Sequence, residues 1–137
     1  MIAFTDEMTT GLNNSFADRK FVIVATASAA GMPDVAYKGS VMAWDGEHIA
    51  FWERSLGTTY SNLVANPQCV FQYTSFEERK FWKFTGMAQV LTEGPVRDAV
   101  MARTVQAELD RDPDRKGAAI IVRIDKITMG PMVLQER

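Results

Sequence analysis

A mainly β protein, an antiparallel sheet curled into a small barrel with short helices at its margin, is what the sequence predicts, and three observations predict it. Segments rich in β-branched and aromatic residues follow one another as at least two hairpins instead of alternating with long helices. The stretches with helical spacing are short and bounded by proline or glycine. The chain has 137 residues, 47% hydrophobic and 23% charged, which suits one ordinary core and lacks the polar bias of disorder. A single domain over residues 1–137 is expected.

Thr5 followed by Asp6 and Glu7 reads as an N-cap with acidic residues in the first turn, where the helix dipole favours them. This predicts a short helix within 5–17, weakened by Gly11 and the Asn13-Asn14 pair. Phe21 to Ser28 is too apolar for one wet face and predicts a strand covered on both sides and central to the fold. Gly31, Pro33 and Asp34 mark a turn, and Val35 to Trp44 resumes extended structure. Asp45-Gly46 is a two-residue hairpin signal leading into Ile49 to Trp52. Gly57 to Asn66 has helical spacing and is stopped by Pro67. Gln68 to Thr74 and Lys80 to Leu91 predict a hairpin around Ser75 to Arg79, with Trp82, Phe84, Ala88 and Val90 on one face. Gly94-Pro95 opens a helix in which Met101, Val105 and Leu109 repeat at i, i+4, and Asp112-Pro113 ends it. Gly117 to Met129 is expected to be the final strand, with Ile120, Val122 and Ile124 together. The tally is about six strands and three helices.

Charge narrows the partners. Fifteen Lys and Arg against seventeen Asp and Glu leave a net charge of −2, so no global basic field holds nucleic acid or an anionic membrane. The start MIAFTDEM has no basic lead, and the apolar run from Phe21 to Ala30 is about half the length of a membrane helix, so a cytoplasmic protein is expected. Cys69 is the one cysteine and His48 the one histidine, which excludes an internal disulfide and argues against any metal site.

Four features bear on chemistry. Ser55-Leu-Gly-Thr-Thr-Tyr-Ser61 puts hydroxyls and a glycine at a helix entry directly after a strand, where open N–H groups and the helix dipole favour phosphate. Simple capping by Thr58 or Thr59 is the alternative. Lys38-Gly39-Ser40 interrupts an apolar strand with a charge that needs a partner and a glycine that permits close approach; the alternative is an outward strand lysine. Arg54 and Lys80 are further cations, each read alone as a surface residue. The aromatics Trp44, Phe51, Trp52, Tyr73, Phe81, Trp82 and Phe84 would either wall a pocket for a planar ring or fill the barrel core. Neither G-x-G-x-x-G nor the P-loop pattern occurs. His48 reads as a surface histidine on a hairpin, and Cys69, beside Val70 and Phe71, as a buried inert thiol.

Several of these segments together resemble the FMN-binding split-barrel family related to pyridoxamine 5'-phosphate oxidase. They are Val24-Ala-Thr-Ala-Ser-Ala-Ala-Gly-Met-Pro33, Lys38-Gly39-Ser40, Asp45-Gly46, Ile49-Ala-Phe51, Asn62-Leu63-Val-Ala-Asn66-Pro67 and Phe84-Thr-Gly86-Met-Ala88, in family order from about residue 20 to 91. The resemblance implies a six-stranded antiparallel split β-barrel of Greek-key type with peripheral helices, a homodimer, and FMN at the subunit interface. Carried onto this chain, the phosphate would lie near Lys38, Thr58 and Thr59, and the backbone of Gly39, Ser40, Trp52 and Glu53 would run beside the ring. Lys80 or Trp82 would reach the flavin from the second subunit.

The implied function is that of an FMN-dependent oxidoreductase in which the flavin carries the hydride or electron chemistry, so no side chain is named as catalytic. Two departures qualify this. Relatives place basic residues where Thr58 and Thr59 stand, and the chain ends at Arg137 without the segment that completes the substrate site of true pyridoxamine phosphate oxidases, whose activity is therefore not expected. A deazaflavin-dependent reductase, a non-catalytic flavin or haem carrier, and a cofactor-free interaction module remain the alternatives. Substrate and electron donor are not readable.

Overall fold

A computed structural model describes residues 1–137. Its first helix, α1 (Asp6–Asn13), starts where the Thr5 side chain accepts a hydrogen bond from the Met8 N–H at 3.2 Å. Met8 and Leu12, one turn apart, carry its buried face. The strands are β1 (Val22–Ala27), β2 (Pro33–Lys38), β3 (Met42–Ala43), β4 (His48–Glu53), β5 (Gln68–Ser75), β6 (Lys80–Leu91), β7 (Ala118–Met129) and β8 (Met132–Glu136). The other helices are α2 (Thr58–Ala65), α3 (Pro95–Arg103) and α4 (Gln106–Leu109).

All ladders are antiparallel, in the order β2-β1-β5-β6-β7-β4-β3, with β8 added to β7. The mainly β class and the split-barrel form hold: the six longer strands make one curled half-barrel, and β3 and β8 extend it. The β5–β6 hairpin forms with its alternation as expected, Trp82 and Phe84 inward and Lys83 and Thr85 exposed. A bulge interrupts β6 against β7 between Thr85 and Gly86. Glycine is required there, because a Cβ at Gly86 would collide with the carbonyl of Arg123.

Five expectations are corrected. The extended stretch expected from Val35 to Trp44 is broken, because β2 ends at Lys38 and Gly39-Ser40 form a turn before β3. β1 is not central but lies second from the edge, and its burial alternates: Val22 and Val24 are buried, whereas Ile23, Ala25 and Ala27 are only partly covered. Its apolar second face is only partly covered within this chain. The Asp45-Gly46 hairpin forms, but with a three-residue loop, because Asp45 Oδ1 accepts from the N–H groups of both Glu47 and His48 at 2.8 Å and draws Glu47 into the turn. The expected helix beyond Pro95 breaks at Thr104, whose backbone turns extended (ψ 140°) while its hydroxyl donates to the Val100 carbonyl at 2.8 Å. The result is four helices, not three. Finally, β7 is not the last strand: Gly130, at φ 58°, turns the chain into β8. β8 is a mostly exposed edge strand, so no buried alternation announced it.

Phe51, Phe71, Tyr73, Trp82 and Phe84 lie in the main core, with Phe51 and Phe71 edge to face at 5.9 Å. Trp52 belongs to a second apolar cluster with Met42, Ala50, Val100, Leu109 and Ala119. For these aromatics the core reading is the correct one. No helix is long and apolar enough to cross a membrane.

Candidate functional site

The end of β2 and the end of β4 meet at a polar cleft of about 70 Å³ lined by Lys38, Gly39, Ser40, Trp52, Glu53, Arg54, Ser55 and Glu108 among others. Lys38 Nζ lies 2.8 and 3.0 Å from the two carboxylate oxygens of Glu53. The Glu53 side chain is 2% exposed, so this is a buried ion pair in which each charge depends on the other. Ser55 adds a hydroxyl donor to Glu53 at 3.3 Å. Ser40 Oγ donates to the Trp52 carbonyl at 3.1 Å and accepts from the Trp52 N–H at 3.0 Å. One hydroxyl thereby does the work of a ladder pair where β2 has already turned away. The Lys38 lysine is thus an inward-paired residue and not an outward strand lysine.

Gly39 makes room for Glu108. A Cβ at Gly39 would collide with the Glu108 carboxylate, whose Oε2 is held by Arg54 Nε at 3.2 Å. Behind the cleft, Asp112 anchors Trp52. It accepts the indole N–H at 3.0 Å and the backbone N–H groups of Lys116 and Gly117 at 2.9 and 2.8 Å. Burial pushes the Asp112 carboxyl up, but these three donors and the nearby Arg115 outweigh it and hold it below the usual carboxylate range.

At α2 the N-cap is Gly57, which makes no side-chain cap bond, so capping by Thr58 or Thr59 does not occur. Thr58 is exposed and Thr59 buried. The N–H groups of this first turn have no intrahelical partner. Four residues separate this helix start from Glu53 along the chain.

Lys80 and Trp82 lie elsewhere. Lys80 Nζ pairs with Glu7 at 2.8 Å, and Trp82 is buried and stacked on Tyr73 at 5.2 Å. Within the chain, therefore, Lys38, Gly39, Ser40, Trp52 and Glu53 converge, Thr58 and Thr59 follow shortly after them in sequence, and Lys80 and Trp82 are not brought to them. His48 sits on the hairpin beside Asp45 at 2.9 Å. Cys69 is buried, which pushes its thiol up to about 12. Sequence reading missed Glu108 and Asp112, which are helical and loop carboxylates by pattern. The one available signal was Gly39, which announces close approach without naming what approaches.

Over residues 4–129 the sequence matches the family described as pyridoxamine 5'-phosphate oxidase. The chain belongs to that family. Among structures of this family's fold, HupZ of Group A Streptococcus is 26% identical, with 96% of this chain and 94% of that one aligned at a TM-score of 0.75. An FMN-binding protein from Syntrophomonas wolfei aligns over 96% of this chain and 88% of its own at a TM-score of 0.69 and 15% identity. HutZ, the heme storage protein from Vibrio cholerae, aligns over 88% and 92% at a TM-score of 0.63 and 16% identity. The last two identities speak for shared fold alone.

Proposed function

We propose that this member of the pyridoxamine 5'-phosphate oxidase family is an FMN-binding oxidoreductase whose flavin lies at a homodimer interface. The observation that carries the reading is the cleft itself. It combines a backbone bared at Gly39 with polar groups fixed by Ser40 and Trp52, and the chain leaves it at Ser55 just before the open N–H groups of α2, yet at about 70 Å³ it falls short of the roughly 300 Å³ that a ring-sized ligand needs. A second subunit supplies the missing wall.

The residues present fit FMN in a specific way. The phosphate goes to the start of α2, where Thr58, Thr59 and their N–H groups offer donors. Lys38 and Glu53 face the ring as a paired, neutral unit, because Lys38 is already gripped by both Glu53 oxygens. Gly39, Ser40 and Trp52 present backbone beside the ring, and on the partner's side of the interface Lys80 is the group that reaches out, with Trp82 buried behind it against Tyr73. When bound, the flavin supplies the hydride or electron transfer. The chain orients it and excludes water, and no side chain acts as general acid or base.

Support for the dimer comes from the partly uncovered face of β1. Val35, Ala25 and Val70 form one cross-strand row and Tyr37 and Ile23 begin the next, with Val35 68% and Tyr37 73% exposed. The test is the visible absorption spectrum of the protein as purified and after addition of excess FMN and removal of unbound ligand. A two-banded flavin spectrum near one per subunit is expected. No flavin in either sample would overturn the reading, and a Soret band would replace it with haem.

A further inference from the structure

Glu108 stands between two cavities. One is the polar cleft at Lys38, Ser40, Glu53 and Arg54; the other is a groove of about 340 Å³ walled by Phe16, Phe21, Tyr37 and Arg111. Gly39 and Glu108 line both. The Glu108 carboxylate rests against the bare Cα of Gly39, in the space a side chain would fill, and so forms the partition.

The cations near this partition are not equally available. Lys38 is held by Glu53, which is 2% exposed and fixed on β4; pulling that carboxylate away leaves a buried charge without a partner. Arg54 is held by Glu108, which is 17% exposed and rides on the four-residue α4. Releasing Glu108 returns a carboxylate to water at little cost. It also bares Arg54 and Gly39 and joins the polar cleft to the aromatic groove. Phe16 and Phe21, edge to face at 5.6 Å, form one wall of that groove, and Tyr37 adds a third ring.

We propose that Glu108 is an internal anion that closes a ligand site, and that an aromatic phosphate monoester opens it, its phosphate replacing the Glu108 carboxylate on Arg54 and its ring entering the groove of Phe16, Phe21 and Tyr37. A phosphate displaces a carboxylate because it brings nearly two charges and more acceptor oxygens to the guanidinium fork. The inference rests on the FMN reading for the class of ligand, but it seats the phosphate on Arg54 instead of at Thr58 and Thr59 and so refines where that ligand lies.

The test measures binding of FMN, riboflavin and phenyl phosphate to the full chain and to Glu108→Gln, Arg54→Gln and the double variant, by flavin fluorescence or ligand-induced melting shift. Both side chains are partly exposed, and melting without ligand checks that each variant folds. Glu108→Gln keeps the bulk and removes the charge, so it should tighten the esters about tenfold, the worth of one charged hydrogen bond, and leave riboflavin unchanged. Arg54→Gln should abolish that gain. A gain with phenyl phosphate while FMN leaves no trace keeps the gate and refutes the flavin reading. No gain with either ester overturns the gate, as does an equal gain with riboflavin or in the Arg54→Gln background, whatever the wild type does with FMN.

Discussion

The Trp52 indole N–H donates to Asp112 Oδ2 at 3.0 Å, tying the end of β4 to the loop that enters β7. The same carboxylate takes the N–H groups of Lys116 and Gly117, and the Arg97 guanidinium covers the indole ring at 4.9 Å while donating to the carbonyls of Arg115 and Gly117 at 2.7 and 3.0 Å. Every donor and acceptor in this knot is matched, so removing the carboxylate strands three donors at once.

Asp112→Ala should therefore cost about 1.5–3 kcal/mol, the range for hydrogen bonds to charged groups, and Asp112→Asn should cost less. The pH dependence has a definite sign. The native carboxyl is held below its unfolded value, so its contribution is complete above the unfolded pKa and is lost as pH falls through the native one. Melting curves of wild type and Asp112→Asn should differ at neutral pH and draw together only as pH falls below the ordinary carboxylate range of about 4, through the lower range in which the native carboxyl protonates. A gap of constant size across that range would refute the assignment.

What the sequence made legible follows from which physics is local. Strand alternation in Trp82-Lys83-Phe84 and Ile120-Ile121-Val122, the cap at Thr5 and the stop at Pro67 depend on neighbours in sequence and were readable. The break at Thr104 depends on a hydroxyl choosing a backbone carbonyl over helix continuation, and β8 on a partner strand, and neither leaves a period. Within the site, Lys38-Gly39-Ser40 stood out as a charge and a glycine in what read as one apolar strand, although β2 in fact ends at Lys38 and Gly39-Ser40 turn the chain. Glu53, Glu108 and Asp112 gain their roles only from tertiary approach, across 15, 54 and 60 residues to Lys38, Arg54 and Trp52 respectively.

The Lys38–Glu53 pair should behave as a unit. Lys38→Met leaves Glu53 buried without its partner and should cost about 3–5 kcal/mol. The double variant Lys38→Met with Glu53→Met should be more stable than the sum of the single effects allows and recover most of the loss. Denaturant unfolding of the four proteins closes the cycle. Additive single effects would mean that the two charges are each satisfied elsewhere.

Cys69 should be silent in the native protein. Burial raises its thiol to about 12, so at pH 8 only roughly one molecule in ten thousand carries the reactive thiolate. Alkylation by iodoacetamide, followed by mass spectrometry, should be negligible in buffer and complete in denaturant. Rapid native labelling would show that β5 opens at this position.

The face that β1 and β2 leave bare should set the oligomeric state. Val35 and Tyr37 pair across the ladder with Ala25 and Ile23, so an aspartate at each enters the middle of one apolar row and the edge of the next. Neither change alters the subunit's own core, because both side chains are exposed, so Val35→Asp with Tyr37→Asp should leave the melting of the isolated fold nearly unchanged while adding charges that an apolar interface cannot desolvate. Sedimentation should find wild type at about twice the 15.3 kDa chain mass and the double variant at the mass of one chain. Tyr37 also lines the polar cleft and the aromatic groove, so dissociation should carry flavin loss with it. A wild-type monomer, or a charged variant that stays dimeric, would mean that this face is not the one that completes the site.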